Sequence, residues 1–424
     1  MPMHSIILRS ISRIQVDRFA GDLARTDGCD MLLSADGYPA QTASVIGVRP
    51  VDELVFTNTT APETVKTFCF GSPGPALGFV SYEYGMGLRN VSSSKSHDFP
   101  LGHLKKYAAV ITYQDNRAEI VSPDTHLAEA LADRLSRTPN AHSAHAVIGL
   151  PGTAPELSLD QTAYEAGVGE TLERILSGHT YQLNLSTRFS WHCPDLDALG
   201  LFLSLKQRHP APFYAWITSG PKRVLSTSPE RFLRVQEGRV LSQPIKGTCR
   251  LGKDRLMAEE RLTGSAKESA ELSMIVDLVR NDISANCEYG SVRVEHHKSV
   301  FAVDGLLQMY SDVCGVLRSD RDCLDLFFDA FPGGSITGCP KKRSMEIIEE
   351  LEPHTRGVYC GSVVCIRDER NMDSSIAIRT AVHDTDTGVL ESYAGSGIVV
   401  DSNPAREYQE TLAKAAKFLA LGES

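Results

Sequence analysis

The run of short strand-like segments after residue 180 constrains the fold of this chain more than any other feature. YQLNLSTRFSW, PFYAWIT, RVLSTS and RFLRVQEGRVLSQPIKG are rich in β-branched and aromatic residues. The last reads as a hairpin turning at Glu237-Gly238. Consecutive strands joined by short turns pair antiparallel. Further strand-like runs, GVYCGSVVCIR, SSIAIRTAVHD and GVLESYAGSGIVV, lie between long helices. The predicted fold class is therefore α+β, with large antiparallel sheets covered by helices. Nearer the N-terminus, ALGFVSYEYG and YAAVITYQDNRAEIV read as strands ahead of a helix, HLAEALADRLSR. Between Ser136 and Ser158 the chain is polar, holds three prolines and loses both hydrophobic periods, which marks a connection. It separates residues 1–145 from a larger region, 157–422, and both are expected to merge into one body.

A chain of 424 residues can bury a large core. Its formal charge of -10 argues against nucleic acid and anionic membrane surfaces as partners, because both attract basic patches. MPMHSIILRSISRIQ has too short an apolar run for a signal peptide, so a cytoplasmic location is expected. Ten cysteines without a CxxC pair indicate neither a zinc ribbon nor a disulfide framework.

Within SQPIKGTCR, Lys246 sits where a strand runs out into a turn. Such a lysine is either a surface residue or a desolvated amine with a lowered pKa, able to act as a nucleophile. If SAKESAELSMIVDLVRNDIS is a helix, Leu272, Ile275, Val276 and Val279 form its buried stripe. Glu268 and Glu271 then project beside that stripe, while Asp277 and Arg280 point away. The C-terminal helix in DSNPAREYQETLAKAAKFLA places Glu407, Glu410 and Lys414 on one stripe. A Glu410–Lys414 surface pair explains part of this. Two helices with the same E-x-x-E spacing also offer four hard oxygen ligands suited to Mg²⁺ and an anionic substrate group.

Two glycine-rich stretches read as anion cradles. FPGGSITG leads into a helix near Pro340, and AGSG carries Gly395, Ser396 and Gly397. Gly333 and Gly338 have Walker spacing, but Cys339 and Pro340 follow where lysine and serine or threonine are required, so nucleotide binding loses that support. Arg379 in IAIRT stands in an apolar strand context that calls for a carboxylate partner, from substrate or protein. His296 and His297 lack any further ligand pattern and read as a solvated strand end.

Taken in order, SPERF, PIKGT, KESAELSMIVDLVRND, FPGGSITGCPKKRSMEIIEELEP, RGVYCGS, IAIRTA, AGSGIV and the final E-x-x-E-x-x-x-K resemble the chorismate-utilising enzymes. That family includes anthranilate, aminodeoxychorismate, isochorismate and salicylate synthases, and the resemblance implies their four-layer α/β/β/α architecture. PIKGT is similar to the aminodeoxychorismate branch, where anthranilate synthases have PIAGT. Gln182 stands where the water-adding branches carry a lysine base. The resemblance implies that Lys246 attacks chorismate, Glu230 is the general acid, and ammonia comes from a separate glutamine amidotransferase subunit, since no G-x-C-x-G elbow is present. It further implies Glu271 and Glu410 as inner Mg²⁺ ligands, Glu268 and Glu407 acting through water, and Thr248, Tyr359, Arg379, Gly395, Ser396, Gly397 and Lys414 as substrate contacts. Cys339 replaces the family's common alanine. DMLLSADG lacks the glutamate of the LLES sequence associated with tryptophan feedback.

One register problem follows from the hairpin. A two-residue turn at Glu237-Gly238 sets Lys246 opposite Pro229, and strict alternation then sends Glu230 to the other face. A bulge or bend near Pro244 must intervene if both act on one substrate.

Overall fold

The computed structural model describes residues 3–39, 42–96, 98–141, 154–250, 254–303 and 306–422. Twenty strands and eleven α-helices occur among them, and every strand pairing is antiparallel. The α+β expectation is met.

The pairings follow two arms that leave one long strand, Gly102–Gln114. One arm runs through Ser44–Phe56, Cys29–Leu33, Phe213–Ser219, Lys222–Ser228, Thr380–Asp384 and Val389–Ile398, and ends at Gln182–His192. The other runs through Ala76–Val80, Ser362–Asp368, Asn371–Ile376, Arg231–Gln236 and Arg239–Gln243 to Leu306–Val316, which carries Ile245–Arg250 at its far end. The arms face each other across a shared core: Phe79 and Val363 of one pack with Ala215, Ile217, Val224 and Val382 of the other. Strands from before and after the connection thus alternate within one hydrogen-bonded system. Residues 142–153 of that connection lie outside the described residues; Glu156–Leu157 already pairs with Phe189 and Ser190.

Several local readings are corrected. SYEYG is the start of a helix, Tyr82–Leu88, which begins after Ser81. GVYC is a turn ahead of the strand Ser362–Asp368. IAIRT is not continuous strand: pairing stops at Ile376 and resumes at Thr380, and Arg379 occupies the bend between with φ +50°. The strand reading of GVLESYAGSGIVV holds, with Gly395, Ser396 and Gly397 opposite Ser186, Leu185 and Asn184. His296 and His297 lie in an irregularity inside the strand Arg293–Val303, where they meet Asp312 and Ser311. The helix Ala198–Arg208 was hidden from periodicity because it is buried almost all round.

Candidate active site

The far ends of the two arms meet, and Lys246 stands where they do. It pairs with Met309, and the register slips by one residue between Lys246 and Thr248. The extra residue is Gly247, with φ +76°, a conformation that glycine adopts without strain. A Cβ on Gly247 would stand 3.0 Å from a Glu268 carboxylate oxygen, so the helix Ala266–Ser284 lies directly over this bulge. From the other arm, a Cβ on Gly397 would sit 3.4 Å from Lys246 Nζ and 3.0 Å from Gln182 Nε2. Glycine at 397 therefore leaves the space that the lysine end and Gln182 share.

The register problem is resolved by two irregularities. Gln236 pairs with Arg239 across the Glu237-Gly238 turn, but the register shifts between Arg234 and Arg231, and pairing breaks at Pro244. Glu230 is buried just before Arg231 and accepts a 2.9 Å hydrogen bond from Ser335 Oγ. Burial pushes its carboxyl up to about 7, against the opposing pull of the Ser335 hydroxyl, Lys246, the Ile245 amide and Lys414. Lys246 is displaced the other way. Burial of its amine, followed by the nearby Lys414 charge, lowers its pKa, opposed by Glu271, Glu230 and Glu410. Burial thus moves the acid and the amine each toward its neutral form, the direction that nucleophilic attack with leaving-group protonation requires.

The helix stripes fall as expected. Leu272, Ile275, Val276 and Val279 are buried, Asp277 and Arg280 exposed, and Glu268 and Glu271 intermediate between them. Burial raises the pKa of both glutamates; Lys246 and Lys267 oppose it, while Glu271 and Glu410 add to it at Glu268, and Glu410 and Glu407 at Glu271. Glu410 goes down instead, chiefly because Lys414 is 2.8 Å away. Lys414 Nζ also donates to the Gly395 carbonyl at 3.1 Å, which ties the C-terminal helix to the glycine strand. Glu407 is buried, with one oxygen held by Ser402 Oγ at 2.7 Å.

For Mg²⁺ the donor set fits in kind. The charges of Glu410 and Glu407 raise the pKa of glutamates on the other helix, and a divalent cation would relieve that negative charge. Among the described residues, no three His, Cys, Asp or Glu side chains form a ready-made cage.

Other expected contacts divide. Tyr359 is buried, stacked on Tyr393 at 5.2 Å between ring centroids. Arg379 presents its carbonyl to Thr227, whose amide and hydroxyl both donate to it. Thr248 lies on the lysine strand, and its side chain is outside the described residues. Ser396 is a correction: alternation turns it away from the face bearing Gly395 and Gly397, and its amide and hydroxyl both meet Tyr164 OH. FPGGSITG is also not an open anion cradle. All its residues are buried, and Ser335 is committed to Glu230.

Sequence reasoning gave no role to ELEPHTR, which builds the best-connected polar cluster nearby. Arg356 forks onto Glu352, with Nε to Oε2 at 2.9 Å and Nη2 to Oε1 at 2.7 Å. Glu352 also receives the Ser186 amide and hydroxyl. Burial pushes His354 down to about 4, so it is neutral.

A profile described as chorismate binding enzyme matches residues 26–420. Aminodeoxychorismate synthase component 1 of Klebsiella aerogenes is 36% identical over 358 residues, covering 83% of this chain and 78% of that protein. Anthranilate synthase component 1 of Haloferax volcanii is 35% identical, covering 80% and 68%. The crystal structure of anthranilate synthase component I from Streptococcus pneumoniae superposes with a TM-score of 0.77 at 25% identity, covering 91% of this chain and 93% of that one. The chain belongs to the chorismate-binding enzyme family.

Proposed function

We propose that this chain is the chorismate-aminating component of an aminodeoxychorismate synthase, making 4-amino-4-deoxychorismate from chorismate and ammonia. The observation that carries the reading is Lys246: an amine with a lowered pKa, at the junction of the two sheet arms, beside a carboxyl raised to about 7. In this reading the Lys246 lone pair forms a bond to C2 of chorismate, the ring double bonds shift, and the C4–O bond breaks. Glu230 gives its proton to the departing oxygen, which leaves as water. Ammonia then bonds to C4, the double bonds shift back, and Lys246, still carrying two protons on nitrogen, leaves as the neutral amine. The Glu230 carboxylate takes a proton from the new ammonium group and is restored.

Splitting one displacement into two lowers the barrier of each. Glu271 and Glu410, with Glu268 and Glu407 through water, would hold Mg²⁺, which when bound neutralises the ring carboxylate. Tyr359, Arg379 and Gly397 would border the substrate carboxylates, and Lys414 would steady Glu410. The relatives' designation as component 1 fits a two-subunit enzyme whose other subunit hydrolyses glutamine to ammonia.

Incubating the protein with chorismate, Mg²⁺ and an ammonium salt tests the reading. The expected product is 4-amino-4-deoxychorismate, with a lysine-borne adduct of chorismate detectable by mass spectrometry. Direct release of 2-aminobenzoate would assign the chain to the anthranilate branch, whose Haloferax member is nearly as similar.

A further inference from the structure

We infer that Arg356 is a positioning residue for Glu230, acting through the buried turn Gly334–Ile336. The inference rests on Glu230 being the acid of the reaction. The turn is tied at two adjacent residues to distant parts of the chain. At its centre Ser335 Oγ donates to Glu230 Oε1 at 2.9 Å. At the next residue Arg356 Nη1 donates to the Ile336 carbonyl at 2.9 Å. The remaining donors of the guanidinium are spent on Glu352 and, through Nη2 at 2.7 Å, on the Asn184 carbonyl of the strand Gln182–His192. Its face lies 4.7 Å from the centroid of the Tyr82 ring. Arg356 is 2% exposed and cannot swing away. Its backbone is fixed as well, because its amide and that of Gly357 both donate to Glu83 Oε1.

The consequence is a chain of contacts from Glu352 through Arg356 and the turn to Ser335 and Glu230. A planar fork can satisfy a carboxylate and two carbonyls in different directions at once; an ammonium on a flexible stem reproduces its charge but not that geometry. Glu230 is surrounded by Lys246 from the lysine strand, Lys414 from the C-terminal helix, the Ile245 amide and the Cys360 thiol. Unlike these groups Ser335 sits on the turn itself, so its bond to Glu230 depends on where the turn lies. The Ser335 bond favours the ionised carboxylate, so loss of its alignment raises the pKa of Glu230 further.

The test is the pH dependence of kcat for chorismate consumption, whatever the product, with folding checked by thermal unfolding. The acid must be protonated, so the rate falls as pH rises through its pKa. Ser335→Ala is expected to move this alkaline limb upward by about one pH unit. Arg356→Lys is expected to move it the same way, and the double variant no further than Ser335→Ala alone. If Arg356→Lys does not fold, the near-isosteric Glu352→Gln carries the test, with a smaller upward shift expected. A limb left in place by the folded Arg356→Lys or Glu352→Gln protein, while Ser335→Ala moves it, overturns the inference. So does strict additivity in the double variant. A limb that Ser335→Ala itself leaves unmoved overturns instead the assignment of Glu230 as the acid.

Discussion

Two buried charge clusters converge on Glu230, and they are built on opposite rules. Around Arg356 each ionised group has found its partner. Burial alone would raise Glu352, but the forked guanidinium holds its carboxyl below the ordinary range, and the same carboxylate keeps Arg356 charged. Around Lys246 the groups are left unmatched. Among the described residues no carboxylate closes an ion pair on that amine, and Glu230 is met by a hydroxyl rather than a cation. Burial therefore wins there, and it drives both groups toward their neutral forms. A matched cluster resists titration and holds backbone in place; in the unmatched one burial pushes Glu230 up to about 7 and lowers Lys246.

The sharpest way to break the contrast is Lys246→Met. Chorismate conversion should fall on the order of 10³-fold or more, since a covalent route has no substitute for its nucleophile. Stability should move the other way. A lysine whose folded pKa is depressed contributes stability above its unfolded pKa of about 10.5, and that contribution is lost as pH falls toward the folded value. Methionine removes the loss, so the melting temperature should rise at pH 7 and gain little near pH 10. A variant that is less stable at pH 7 would mean that the amine is comfortably paired after all.

Glu352→Ala probes the matched cluster. It leaves the Arg356 guanidinium buried without its carboxylate and strips the Ser186 amide and hydroxyl of their acceptor. Breaking a buried pair from one side costs about 3–5 kcal/mol. The denaturant midpoint should drop accordingly with the slope unchanged. A loss below about 1 kcal/mol would show that Arg356 finds other partners, and the contrast between the clusters would weaken.

Glu230→Gln gives a smaller, pH-shaped effect. A carboxyl raised from 4.5 to about 7 contributes stability that is fully present below 4.5 and is lost as pH rises through 7. By pH 8 the wild type has lost roughly 3 kcal/mol that the amide does not lose, from about 1.4 kcal/mol per pKa unit. Glutamine should therefore stabilise the fold at pH 8 and not at pH 4.5, while chorismate conversion is lost. A gain that is flat with pH would exclude a raised carboxyl at this position.

What the sequence disclosed followed the same division. Most strands were legible from their β-branched and aromatic content, several of them being buried on both faces. Period-3.6 patterns located both carboxylate helices, which bury one stripe and leave the other side wet. They also placed Glu268 and Glu271 at the edge of a buried stripe. The need for a bulge between Lys246 and Glu230 was legible too, since alternation alone kept them apart. Three things stayed hidden. Ala198–Arg208 shows no stripe because nearly every position is covered. Ser396 was grouped with its glycines until pairing with Leu185 showed that it faces Tyr164. The Arg356 cluster is assembled from segments about 170 residues apart, Asn184 and Ser186 against Glu352 and Arg356, and no local pattern encodes such a contact.

Cys339 is where the contrast should produce almost nothing. It stands four residues after Ser335 and pairs with Gln182, so proximity alone would make its thiol a suspect. Burial raises the thiol pKa, which reduces the thiolate that any nucleophilic role needs. The structural work of the residue is done by its carbonyl, which accepts the Tyr181 amide at 2.7 Å and the Thr180 hydroxyl at 2.9 Å. Alanine keeps that carbonyl and removes one small, half-buried sulfur. Cys339→Ala should therefore leave kcat within about twofold and stability within roughly 0.5 kcal/mol. It should also make the enzyme indifferent to mild oxidants if this thiol is the one they reach. A tenfold loss of rate would bring the sulfur into the chemistry and would mean that the unmatched cluster extends beyond Lys246 and Glu230.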